Sequence, residues 1–295
     1  MKSGFVSLIG RPNVGKSTLV NQIVGTKVAI LYNKPQTTRN IIKGIYNDDD
    51  SQIVFIDTPG IHKPSNKLGK TLNKQAYYGM NDADIILFLT DASEELGAGD
   101  KYILEKLAEV KTPVILVLNK IDKLNNEKIM NKIIEYKDLY PFSEIIPLSA
   151  MKGKNTDELI KTLKKYLKDE IMYYGKDDVT NSSLEFLMAE IVREKVFNLT
   201  DEEVPHSVTC VTSAVEVGRE SYTIYVDIIV DRDSLKKIII GANGTMIKKI
   251  GISARYDLEK LLNKKVYLDL KVKTIKKWRD KEKYLESLGF NDFLN

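Results

Sequence analysis

A single cysteine, two histidines and one tryptophan are all that the 295 residues contain of those three types. One thiol cannot close an internal disulfide, which fits a reducing, cytoplasmic setting. Cys210 lies in the alternating stretch Val208-Thr209-Cys210-Val211-Thr212 and reads as a strand position with a structural thiol, not a nucleophile. Two histidines and one cysteine are too few to expect a zinc site. Long apolar runs are missing too: nothing approaches the ~20 residues a membrane-spanning helix needs. The N-terminal apolar run is short and leads straight into a glycine loop, so it is not read as a signal peptide. Net charge is only +4, but it is unevenly spread. Lys176 to Asp233 carries 5 basic and 13 acidic residues, whereas Ser234 to Lys283 carries 15 basic and 5 acidic. A basic block of that size points to an anionic partner, either nucleic acid or a lipid surface.

What is present begins at residue 10. Gly10-Arg11-Pro12-Asn13-Val14-Gly15-Lys16-Ser17 fits G-x-x-x-x-G-K-[ST]. It follows the apolar run Phe5 to Ile9, read as a buried strand, and precedes Thr18 to Val24, read as a helix. Strand, glycine loop and helix is the setting in which backbone N–H groups and a helix N-terminus cradle a polyphosphate. Lys16 supplies a positive charge for the β- and γ-phosphates, and Ser17 a hydroxyl for Mg2+. Thr18 completes the loop's binding set.

Further continuous apolar runs lie at Ile53–Ile56, Ile85–Leu89, Val114–Leu118 and Ile145–Leu148, with helical patterns at 100–109, 127–139 and 156–170. Runs without alternation are those of parallel strands buried on both faces. The expected fold is therefore a doubly wound α/β domain with its ligand at the carboxyl ends of the strands. Short motifs sit at those ends. Asp57-Thr58-Pro59-Gly60 offers an acid to support Mg2+ and, at Gly60, an N–H for the γ-phosphate. Asn119-Lys120-Ile121-Asp122 offers a carboxylate that can accept both the N1–H and the exocyclic amine of guanine. Asn119 bonds the base edge, and the Lys120 stem covers the ring. Ser149-Ala150 offers a backbone N–H for guanine O6. In the polar loop Pro35 to Asn40, Thr38 is the favoured Mg2+ ligand and Thr37 its competitor; either would make the loop a γ-phosphate sensor. A guanine-reading motif argues against a metabolic P-loop kinase.

The second half has a different texture. Its pattern is α-β-β-α-α-β-α: a helix over Leu184–Phe197, strands over Ser207–Val217 and Tyr222–Val230, and a helix over Leu235–Ile240. A helix over Thr245–Leu262, a strand over Lys265–Lys273 and a helix over Trp278–Leu288 follow. The expected domains are 1–172 and 183–295, with 173–182 as linker. Gly241-Ala242-Asn243-Gly244 falls between two helices, where a KH domain of type II topology places the GxxG loop that clamps single-stranded nucleotides. Ile240, Ile247 and Ile250 are candidates to line an apolar groove for bases, and Lys248, Lys249 and Arg255 to hold phosphates.

Taken together these motifs resemble the Era-like family of bacterial TrmE-Era-EngA-type GTPases over essentially the whole chain. Gln36-Thr37-Thr38-Arg39, Glu203-Val204-Pro205-His206 and Lys277-Trp278-Arg279 carry the resemblance further. It implies a GTP-hydrolysing switch with Mg2+ that binds near the 3′ end of 16S ribosomal RNA and assists maturation of the 30S subunit. It also implies a cytoplasmic monomer with peripheral association with the membrane. The family's GxxG loop usually carries a basic residue between its glycines; Ala242 and Asn243 carry none, so clamping must lean on backbone N–H groups and on Lys248 and Lys249. Ile61 stands where Ras-like enzymes have a water-orienting glutamine, which implies slow intrinsic hydrolysis with Lys16, Asn13, Thr38 and Gly60 as the catalytic groups. The resemblance to potassium-activated relatives makes Asn13 the expected K+ ligand. His62 reads as a mobile loop residue, and His206 as a structural turn residue.

Overall fold

The computed structural model describes residues 1–30, 38–201 and 203–290. Two compact units divide the chain: Met1–Ser65 with Gly69–Asn181 form the first, and Asn66–Leu68 with the chain from Ser182 onward form the second.

The first unit runs β1 (Lys2–Ile9), α1 (Lys16–Val24), β2 (Ile42–Asn47), β3 (Ser51–Asp57), α2 (Lys67–Asn81), β4 (Ile85–Asp91) and α3 (Ala98–Leu107). It continues with β5 (Val114–Asn119), α4 (Asn126–Lys137), β6 (Glu144–Pro147) and α5 (Thr156–Tyr166). The sheet order is β2-β3-β1-β4-β5-β6, parallel except for the antiparallel edge pair β2–β3. Alternate residues of the central strands enter two separate cores. Leu87, Leu89 and Val117 pack toward Leu19 and Leu163 on one face; Ile86, Phe88 and Leu116 pack toward Ile103 and Tyr136 on the other. Burial on both faces is why these strands read as continuous apolar runs. β1 lies between β3 and β4, so chain connections leave it in opposite directions. The crevice at its carboxyl end, where the glycine loop begins, is the switch point at which such sheets bind ligands.

Two elements of this unit have no counterpart in the sequence reading. β2 contains Lys43 and Gly44 and has no continuous apolar run, while α2 mixes lysines and glycines along its length. The helix expected to reach 170 stops at Tyr166, because Leu167 turns extended and drops into the core. The stretch read as a linker is bonded to the first unit. The Tyr173 and Tyr174 N–H groups donate to Gln52 Oε1, and Val179 accepts from Ile45 N.

The second unit runs α6 (Leu184–Leu199), α7 (Val204–Ser207), β7 (Val208–Val217), β8 (Ser221–Val230), α8 (Asp233–Ile240), α9 (Thr245–Leu262), β9 (Lys265–Thr274) and α10 (Glu282–Ser287). The sheet order is β7-β8-β9. β7 and β8 are antiparallel, as their alternation suggests, but β9 pairs parallel to β8. Cys210 is buried in β7 opposite Ile228. The single helix expected over 278–288 is broken: Trp278–Asp280 is a 3-10 turn, Lys281 is extended, and α10 starts at Glu282. The cause is Trp278, which is fully buried, donates its indole N–H to Ser207 O at 3.1 Å and stacks on Phe290. Arg279 donates to His206 O at 3.3 Å, which fixes the α7 turn as expected of His206. Among the described residues no helix is long and apolar enough to cross a membrane.

Candidate nucleotide site and nucleic-acid groove

The first site is a cavity of about 570 Å3 at the carboxyl end of β1. The loop that forms it needs its glycines. Gly10 has φ 155° and a Cβ there would lie 2.4 Å from Leu89 O; Gly15 has φ 102° and a Cβ there would lie 2.2 Å from Asn119 Nδ2. Between them Asn13 is left-handed at φ 66°, a conformation asparagine tolerates. α1 then begins with no acidic residue in its first turn, leaving its N-terminal amides to an anion.

Lys16 is 5% exposed, with Nζ 3.2 Å from both Gly10 O and Arg11 O. Burial pushes its ammonium down to about 8, against the pull of Asp57. Asp57 is fully buried, which raises its carboxyl, while Lys16, Ser17 and Thr38 act to lower it. Its Oδ2 accepts from Ser17 Oγ at 2.6 Å and Thr38 Oγ1 at 3.3 Å, and those hydroxyls lie 2.9 Å apart. Its Oδ1 is buried without a hydrogen-bond partner among the described residues. Two hydroxyls on one carboxylate, with the second oxygen orphaned, form an oxygen set that suits Mg2+. Of the two threonines considered, Thr38 joins this cluster; Thr37 lies outside the described residues.

At the other end of the cavity Asn119 ties three loops together. Its Nδ2 donates to Val14 O at 2.8 Å, and its Oδ1 accepts from Lys120 N at 2.7 Å and Ala150 N at 2.9 Å. The Ala150 N–H expected to face a guanine oxygen is therefore already engaged by Asn119. Lys120 is left-handed at φ 64°, and its Nζ reaches Asn13 O at 2.8 Å and Asp91 Oδ2 at 2.6 Å. Asp122 Oδ1 accepts from Ser149 Oγ at 2.5 Å, which orients the carboxylate.

Several motif residues turn their side chains away from the cavity. Val14 is in the core, Thr58 Oγ1 donates to Leu8 O at 2.6 Å, and Arg11 pairs with Asp100 at 2.9 Å and Glu94 at 3.0 Å. Gly60 comes close to the glycine loop; a Cβ there would lie 2.8 Å from Pro12 N. Pro59 is buried beside it. Ile61 is 1% exposed and packs with Ile9, Ala76 and Phe88 in the core, so its side chain does not face the cavity. His62 is bonded within its loop and to α2: its Nδ1 lies 3.0 Å from Gly60 O, and Asn73 donates to its carbonyl at 2.8 Å.

The sequence reading missed Asp91. It is 4% exposed, lines the cavity and is bonded by Ser93 as well as Lys120. Burial alone would raise its carboxyl, but hydrogen bonds from Lys120 and Ser93 hold it below the usual range. The missed signal was position, since Asp91 ends β4 just as Asp57 ends β3 and Asn119 ends β5.

The second site is a groove of about 670 Å3 in the second unit. Gly241 closes α8 at φ 73°, where a Cβ would meet Met246 N at 2.8 Å. Asn243 and Gly244 are both left-handed, and α9 starts at Thr245 without a side-chain cap. Ala242 and Asn243 are exposed at the tip. From α9 the groove is lined by Ile247, Lys248, Gly251, Ile252 and Arg255; from the outer strand β9 by residues 267–270; and from β8 by Thr223 and Tyr225. Three expected members stand elsewhere. Ile250 is fully buried in the core because it falls on the inner face of α9, Ile240 is half-buried at the end of α8, and Lys249 is exposed but outside the lining. Ile252 and Tyr267 are additions, 54% and 63% exposed.

A family model described as 50S ribosome-binding GTPase matches residues 5–120, and a KH domain model matches residues 203–279. The chain is similar to the solved structure of Era from Aquifex aeolicus, a variant bound to GDP and aluminium fluoride. Identity is 42%, coverage is 98% of this chain and 99% of that one, and the TM-score is 0.95. The values are the same for Era in complex with MgGDPNP and nucleotides 1506–1542 of 16S ribosomal RNA.

Proposed function

Because the chain belongs to the Era family and is a GTPase, we propose that it is a switch that binds single-stranded RNA from the 3′ region of 16S ribosomal RNA when loaded with GTP. The observation that carries this reading is the cluster of Ser17, Thr38 and Asp57 beside Lys16. A threonine that can reach the metal ligands responds to whether a γ-phosphate is present, and so makes the loop before β2 a sensor.

In this proposal the backbone amides from Asn13 to Thr18 hold the phosphates and Lys16 neutralises them. Asp122 accepts the two guanine donors while the Lys120 stem covers the ring, and Asn119 holds both loops in register. Ser17, Thr38 and Asp57 would hold Mg2+, which neutralises phosphate charge when bound. Asn13 would hold K+, which would supply the positive charge that an arginine finger brings elsewhere. Gly60 N–H meets the γ-phosphate. With Ile61 in the core, backbone groups orient the attacking water, and the intrinsic rate is slow.

On the second unit, the amides of the Gly241–Gly244 loop and Lys248 hold the RNA backbone and the groove takes its bases. The proposal extends to a monomer that assists 30S maturation in the cytoplasm, its basic block at 234–283 touching the membrane peripherally. The test is a titration of the 16S fragment against protein loaded with GDPNP or GDP. Tighter binding with GDPNP is expected; equal affinity in both states removes the switch, and no binding removes the RNA reading.

A further inference from the structure

Lys249 is basic and exposed but stands outside the groove, so the groove gives it no role. Its place on α9 gives it neighbours. Lys249, Ile252, Tyr256 and Lys260 follow one another at spacings of three and four, so they stand on one face of the helix. All four are exposed, Ile252 by 54% and Tyr256 by 60%. Ile252 also lines the groove, so this stripe begins at the groove's rim. Lys260 Nζ sits 4.2 Å from the centroid of the Tyr256 ring, a cation–π contact that holds one face of the ring. Both acids of α9 are committed elsewhere: Asp257 pairs with Lys195 of α6, and Glu259 accepts from Val266 N at 3.2 Å. The stripe is left basic and aromatic, the composition on which single strands are held by stacking and by charge.

We propose, resting on the RNA reading above, that Tyr256 is a stacking platform for an RNA base beyond the groove, with Lys249 and Lys260 on the flanking phosphates. A groove of this class clamps about four nucleotides, and the fragment 1506–1542 is far longer. The strand therefore continues outside the groove, and Ile252 joins the groove to the stripe. Every base has a π face, so a platform of this kind adds affinity with little regard to sequence. An anionic membrane would also be drawn to the lysines. Burying the Tyr256 ring there, however, would carry the Lys260 ammonium toward the apolar layer with it, at a desolvation cost. A base stacked on the opposite face of the ring leaves that ammonium to a phosphate.

The test uses the full chain loaded with GDPNP and the 16S fragment 1506–1542. Each nucleotide is replaced in turn by an abasic one, which keeps the backbone and removes the stacking face. Tyr256→Ala should weaken binding of the unmodified fragment about fivefold or more, and Tyr256→Phe should bind like wild type. At one abasic position the wild type should lose about the same factor and Tyr256→Ala nothing further, while losses at groove positions persist in both proteins. Unchanged affinity in Tyr256→Ala, or abasic losses of the same size in both proteins at every position, overturns the inference while the RNA reading stands. So does a Tyr256→Ala variant that keeps its RNA affinity but loses binding to phosphatidylglycerol vesicles, which makes the stripe a lipid surface. Failure of the wild type to bind the fragment at all overturns both.

Discussion

Lys16 and Lys248 both stand where a phosphate is expected, and they could hardly be placed more differently. Lys16 is nearly buried, is already bonded to two carbonyls, and has an ammonium pushed down to about 8. Lys248 is exposed on the wall of an open groove. The nucleotide cradle is desolvated before its ligand arrives, and its polar groups already bond one another. The groove keeps its polar groups in water. A pre-built site favours affinity and discrimination for one small ligand. A solvated basic wall suits a long polyanion, whose binding is driven by counterion release and weakens with salt.

The contrast can be broken from either side, and the largest effect belongs to the buried site. Lys16→Ala should weaken GTP binding by about a hundredfold, because it truncates a desolvated charge, while RNA binding without nucleotide changes little; fluorescent-nucleotide titration and filter binding read the two. Next is the loop of the second unit. Ala242→Asp together with Asn243→Asp should cost about thirtyfold in RNA affinity by setting like charges against phosphates. GTP hydrolysis without RNA should be unchanged.

Asn13→Ala tests the ion inside the cradle. Wild type should hydrolyse GTP about tenfold faster in K+ than in Na+, and the variant should be equally slow in both; equal wild-type rates in the two salts reject the ion. The fourth comparison is between pH and salt. GTP restores the Lys16 charge, so the ammonium is held more firmly in the bound state than in the free one. Affinity is then full below about 8 and falls above it, by up to about tenfold per pH unit. RNA binding should be flat over pH 7 to 9 and fall with salt instead. The smallest effect sharpens that point: Lys248→Ala should reduce the slope of log affinity against log salt by about 0.7, the value of one phosphate on a single strand.

The sequence was most legible where burial is complete. β3, β4 and β5 sit inside two cores, so their apolar runs announced them, and the motifs at their ends followed. The antiparallel edge strand β2 escaped because Lys43 and Gly44 interrupt it. The direction of β9 was hidden because local alternation does not say which neighbour a strand joins. Within the site, residues whose role is chemical declared themselves by motif. Arg11, whose role is to tie the loop to Asp100, and Asp91, whose role is to hold Lys120, depend on partners tens of residues away. Ile250 was misplaced because spacing marks a helix's apolar stripe without separating its core side from its groove side.

The close approach of Gly15 to Asn119 has a consequence for how such a chain can change over generations. An alanine at 15 would put its methyl 2.2 Å from the Asn119 amide, and at φ 102° it would be strained as well. A smaller residue at 119 would relieve the crowding but release Val14 and Ala150 together. Neither position can drift alone. Two short signatures more than a hundred residues apart therefore behave as one heritable character, and a descendant that loses one should lose the other.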